Sequence, residues 1–254
     1  MTPILASAVA FVAMMVGAAT ATHLRRVLAD QHFTEAAKDI VRLSASLMAT
    51  LAALVLSLLI SSANSAYEAQ RRELREIVAS IVLVDSLLEE YGPASRPARE
   101  SMRKASQVLA DGLWNGAWTG RPSERGYMPR TVARDLHEAI RSLAPADERQ
   151  RELRAQVLQI AVATAQARYV LYEGVDSSLP TPFLVILIGW LAALFMSFCL
   201  FSPPNRIAVV ALVILALSTA SALFMLMELG TPFSGLLALP EGTVRNALPP
   251  LPPA

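Results

Sequence analysis

The residues of this 254-residue chain with the clearest capacity for chemistry are Ser57, Ser61, Asn64 and Ser65. Ser57, Ser61 and Ser65 recur every four residues, so on a helix they share one face; Asn64 lies beside that face and Ser62 flanks it. Hydroxyls and amides arranged this way can replace the water around a passing ion. The same groups also act as hydrogen-bond glue between membrane helices. Both uses fit the residue types. A second candidate is Glu228, which closes a long apolar run at Met227-Glu228-Leu229-Gly230. An acid in that position can be a solvated interface residue, an ion-pair partner or a group in an ion path.

Bond-making constellations are missing from the sequence pattern. There is no phosphate-binding glycine loop, no His-Glu-x-x-His and no Cys-x-x-Cys. His23, His32 and His137 are far apart and show no ligand spacing. The single cysteine, Cys199, sits inside an apolar run, where it reads as a small packing residue; no intrachain disulfide is available to it. No catalytic site, metal or cofactor is therefore expected. The net charge of +1 gives no basic surface for nucleic acid.

The elements that must position these residues are membrane helices. Residues 2–22, 43–67, 179–205 and 207–227 carry no charged side chain. A helix needs about 20 apolar residues to cross a bilayer core of about 30 Å. Composition agrees, with 54% hydrophobic and 17% charged residues and a mean hydropathy of +0.44. A soluble domain carries about a quarter charged residues. The first run could imitate a secretory leader, but its first basic residue, Arg25, follows the run instead of preceding it. It is read as a retained membrane helix.

No glycine or proline occurs from Ala18 to Tyr91, so the second helix is expected to continue well beyond the bilayer. Gly92-Pro93 ends it. Leu74, Ile77, Ile81, Val84, Leu88 and Tyr91 alternate three and four apart, the a/d spacing of a coiled coil. Leu153, Val157, Ile160, Thr164, Ala167 and Leu171 repeat that spacing and lead towards the third membrane helix. An antiparallel pair continuous with membrane helices two and three is the expected packing. Weaker helices are expected near 96–114 and 130–143, joined by a Gly/Pro-rich loop at 119–129. A tight hairpin is expected at 202–206, and a polyproline-like end at 249–253. The fold is thus all-α, a polytopic membrane protein with four transmembrane helices, the second and third extended into an extra-membrane bundle. Its expected divisions are 1–67, 68–178, 179–229 and 230–254. Flanking Lys and Arg residues are almost evenly shared between the two sides, so the positive-inside rule leaves orientation open; Arg25 and Arg26 taken alone would place the first connector in the cytoplasm.

Three stretches resemble the bestrophin-like domain proteins of bacteria. They are Pro182-Phe183-Leu184 through Trp190, Ser197-Phe198 and Leu200-Phe201-Ser202-Pro203 to Asn205; Glu228-Leu229 followed by Thr231-Pro232-Phe233-Ser234-Gly235-Leu236; and Leu59-Ile60-Ser61-Ser62-Ala63 with Ser65, Tyr67 and Gln70-Arg71. The resemblance spans roughly 41–248. Bestrophins themselves are pentameric ion channels with four membrane helices per subunit and long cytoplasmic helical extensions. The resemblance therefore implies a homo-oligomer, a pentamer on that pattern, in a bacterial inner membrane, with inorganic ions as its cargo. It implies that the second helix lines the pore, with Ser57, Ser61, Asn64 and Ser65 facing it. It would also place the insert in the cytoplasm, against the hint from Arg25 and Arg26. The chain departs from animal bestrophins after its fourth helix, where only Glu241 follows Glu228 and no acidic calcium clasp is present; calcium gating is not expected. From a different class, a non-conducting membrane scaffold or sensor whose insert binds a protein partner fits the same helices.

Overall fold

The computed structural model describes residues 2–27, 35–114, 130–175, 181–201 and 205–248. His32, the 119–129 loop, the turn residues 202–204 and the polyproline end lie outside the described residues. Those residues form α1 (Pro3–Val27), α2 (Glu35–Tyr91), a 3-10 turn (Pro93–Ser95), α3 (Arg96–Trp114), α4 (Arg130–Arg141), α5 (Glu148–Val175), α6 (Thr181–Phe201), α7 (Arg206–Leu229) and the short α8 (Gly242–Arg245). The protein is all-α, and four of these helices are long and apolar enough to cross a membrane: Pro3–Arg25, Lys38–Tyr91, Pro182–Leu200 and Arg206–Leu229.

The chain divides into two compact units, Met1–Ala66 with Ser178–Gly230 and Tyr67–Ser177 with Thr231–Ala254. In the first unit α1 packs on α6 and α7. Its core joins Ala10 and Met14 of α1, Ala45, Ala52 and Ala63 of α2, Leu187, Leu191 and Phe195 of α6, and Ala216, Ala220 and Leu223 of α7. Small residues let helix backbones approach closely where lipid removes the hydrophobic drive to associate. Gly17 shows how closely: a Cβ there would lie 2.5 Å from the Ala192 carbonyl oxygen. Gly17 repeats with Ala13 and Ala21 every four residues on α1, as Gly189 does with Ala193 and Ser197 on α6, but a Cβ added at Gly189 would meet nothing within 4 Å. Asn205 starts α7 by accepting a hydrogen bond from the Ala208 N–H at 2.7 Å.

In the second unit the whole α2 seam is buried: Leu74, Ile77, Ile81, Val84, Leu88 and Tyr91. On α5, Leu153, Val157 and Leu171 are buried, while Ile160, Thr164 and Ala167 are half-buried. Leu74 and Ile77 share a cluster with Leu171, and Leu88 and Tyr91 share one with Leu153 and Val157. The two helices therefore run antiparallel. Gly92 ends α2 with φ of 104°, a conformation open to a residue without Cβ. The hydroxyl of Ser95 then donates back to the carbonyls of Leu88 and Gly92.

One charged pair is buried in this unit. Arg99 donates through Nε and Nη2 to the two carboxylate oxygens of Asp85, each at 2.9 Å, and through Nη2 to Glu89 at 3.3 Å. The hydrogen bond to Asp85 holds the Arg99 guanidinium above its ordinary range, against the opposing effect of burial. Residues 231–248 fold over the same unit. The Tyr67 hydroxyl donates to the Leu237 carbonyl at 3.0 Å, and the Trp114 indole N–H donates to that of Leu239 at 2.6 Å. Phe233 meets Trp114 edge-on, with ring centres 5.3 Å apart, and Arg245 pairs with Asp111 and Glu241.

Candidate functional site

The membrane part of α2 has two unlike faces. Ala45, Ala52 and Ala63 are buried, with Met48, Ala49, Leu56, Leu59 and Ile60 packed beside them. These positions share one side because they recur at multiples of the helical repeat. Ser61 lies nine residues beyond Ala52, which at about 100° per residue is the opposite side of the helix.

Ser57, Ser61, Asn64 and Ser65 are all exposed in the single chain, as is Ser62. The structure thus brings the four sequence candidates onto one uncovered face and does not bury them between helices of the same chain. None of the four makes a side-chain hydrogen bond among the described residues. Two further residues extend the stripe. Ser46 and Thr50 are exposed on the same side, with the Thr50 hydroxyl donating to the Ser46 carbonyl at 3.0 Å. The spacing 46, 50, 57, 61 places them in register with the four, but the leucines around them mask the pattern in the sequence. From Ser46 to Ser65 the stripe covers about 28 Å at 1.5 Å per residue, close to the bilayer core. Beside it runs an exposed apolar strip of Leu47 (64%), Leu51 (46%), Leu54 (63%) and Leu58 (70%). The polar stripe is therefore a distinct band of an otherwise apolar exposed face.

Glu228 takes a different position. It is 3% exposed at the end of α7, where the Gly230 N–H caps the helix by donating to the Met227 and Glu228 carbonyls. It is engaged within the chain, and it is buried where the serine stripe is exposed. His23 is exposed and His137 half-buried. Cys199 is buried and unpaired with any other cysteine. Among the described residues no group of three His, Cys, Asp or Glu side chains could hold a metal ion. What the site can do chemically follows from its parts: neutral hydroxyls and an amide can solvate an ion or a water file, but carry no fixed charge and no nucleophile–base pair.

The bestrophin-like domain family model matches residues 8–241. The fold is similar to that of a crystal structure of a mutated bacterial bestrophin homologue from Klebsiella pneumoniae, at 14% identity over 97% of each chain with a TM-score of 0.63. No curated protein matches the sequence.

Proposed function

We propose, for a chain that belongs to the bestrophin-like family, that it is one subunit of a homo-oligomeric ion channel or related passive transporter in a bacterial inner membrane. The single observation that carries this reading is the uncovered polar stripe of α2, set opposite the buried alanines. Serine and asparagine side chains facing lipid would lose hydrogen bonds with nothing in return. A ring of copies that turns this face to a shared axis surrounds it with water instead. Ser57, Ser61, Asn64 and Ser65 then line the path, with Ser46 and Thr50 continuing it. The leucine strip beside it meets neighbouring subunits or lipid. Because the lining is neutral, selection between ions must come from path width or from residues beyond the stripe.

Membrane spanning, the bestrophin-like family and the all-α fold support this assignment. One observation favours the scaffold reading: Val82 and Leu83 of α2 are exposed apolar residues in the second unit, where a partner protein could dock. Flux separates the two. Purified protein in liposomes is expected to release chloride, or sodium or potassium, above protein-free vesicles. A folded, inserted protein that moves none of the three would overturn the channel assignment and favour the scaffold.

A further inference from the structure

The second unit holds a cleft of about 500 Å³, lined by α2, α3, α4 and α5 and open on one side, where Val162, Tyr169 and Val170 of α5 are exposed. Its wall is apolar: Ile81 and Val84 from α2, Met102 and Leu109 from α3, Leu136 and Ile140 from α4. Two of its hydroxyls are already satisfied inside their own helices. Ser106 donates to the Arg103 carbonyl at 2.9 Å, and Thr164 donates to the Ile160 carbonyl at 2.7 Å. A nucleotide or sugar placed here would bury polar groups without partners. The charged and titratable lining is one-sided as well. Among the described residues Arg168 and His137 contribute to the wall, whereas no Asp or Glu does. Arg168 is also engaged within the chain, so its contribution is the sign of its charge and not a vacant hydrogen bond.

We propose that this cavity binds a single-chain anionic amphiphile, of which a long-chain fatty acid is the simplest. The volume falls within the range of small-ligand pockets, which one alkyl chain fills and a two-chain phospholipid exceeds. The chain lies among Ile81, Met102, Leu109 and Ile140, and the carboxylate is drawn to Arg168 and His137. Nothing in this assignment depends on ion conduction, because the cavity belongs wholly to the second unit.

The test uses the full chain in phosphatidylcholine nanodiscs and palmitate carrying a mid-chain diazirine. After irradiation, adducts are mapped by mass spectrometry. Adducts are expected within 80–84, 102–109, 133–140 or 161–170, and excess unlabelled palmitate should remove them. Ala161→Trp, which fills the cavity, should reduce these adducts while leaving those on the membrane helices unchanged. Should that variant misfold, Arg168→Gln with His137→Gln provides a second reading that leaves the volume alone. Palmitate competition should then weaken by about tenfold, the loss of about 1.4 kcal/mol of attraction between the carboxylate and the cationic end of the cleft. Labelling confined to the membrane helices overturns the proposal. So does equal labelling by a diazirine alkane that competes with palmitate, which would remove the preference for an anion. In a parallel sample photo-oxidised with a ruthenium complex and persulfate, a dityrosine bond joining Tyr169 of two copies, without cavity labelling by palmitate, would overturn it in favour of a second copy of the chain covering the opening.

Discussion

Residues 45–63 of α2 turn alanines inward, whereas residues 74–91 turn leucine, isoleucine, valine and tyrosine inward. The outward faces differ too. The first carries Ser57, Ser61, Asn64 and Ser65 beside exposed leucines; the second carries Arg72, Arg75, Glu76, Glu89 and Glu90. In water, burying large apolar side chains drives association, and charge on the outer face is the default. In lipid that drive is absent, so close approach of small residues holds the helices together. Exposure is informative only against the solvent that a segment meets. Arg72 and Arg75 need no explanation outside the membrane, but an exposed Asn64 at the end of an uncharged 25-residue run does.

The largest stability loss is expected from Asp85→Ala, which removes both 2.9 Å hydrogen bonds of Arg99 in a nearly dry site and leaves it the longer contact to the exposed Glu89. Removing one partner of a buried pair costs roughly 3–5 kcal/mol, so thermal unfolding followed by circular dichroism should shift strongly. Adding Arg99→Met to that variant should recover most of the loss; no recovery would mean that Asp85 acts through other contacts. Next in size is Gly17→Ala in the membrane unit. The new Cβ would meet the Ala192 backbone, and overpacking of this kind costs about 1–3 kcal/mol. Gly189→Ala, with open space around it, should instead stabilise by about 0.5–1 kcal/mol through helix propensity. Heating the detergent-solubilised variants and scoring the remaining folded protein orders the pair; the reverse order would reject the close α1–α6 approach. The smallest effect is expected from Trp114→Phe, which removes one hydrogen bond to the Leu239 carbonyl and is worth about 1 kcal/mol. Limited proteolysis at 231–248 should detect it as faster cleavage.

Much of this was legible in the sequence because it rests on periodicity. The six seam positions from Leu74 to Tyr91 were readable from their spacing, as were the four uncharged runs and the helix stop at Gly92. The polar stripe was readable in part: Ser46 and Thr50 fit the same register, but leucines surround them and dilute the signal. Other features depend on residues distant in sequence and left no local pattern. The Asp85–Arg99 pair, the contacts of Tyr67 and Trp114 with 237 and 239, and the four-helix cavity are of this kind. Small-residue spacing marked both Gly17 and Gly189, yet only Gly17 lies against a neighbouring backbone. Spacing reports which face a residue occupies, not what meets that face.

The central claim is that the polar stripe of α2 faces a water-filled path. Its most direct test is ion flux through liposomes carrying Ser61→Leu with Asn64→Leu, measured beside the unaltered protein, with oligomer mass determined by light scattering. The account predicts that flux falls to the level of protein-free vesicles while oligomer mass is unchanged. Undiminished flux through the double-leucine protein would contradict it.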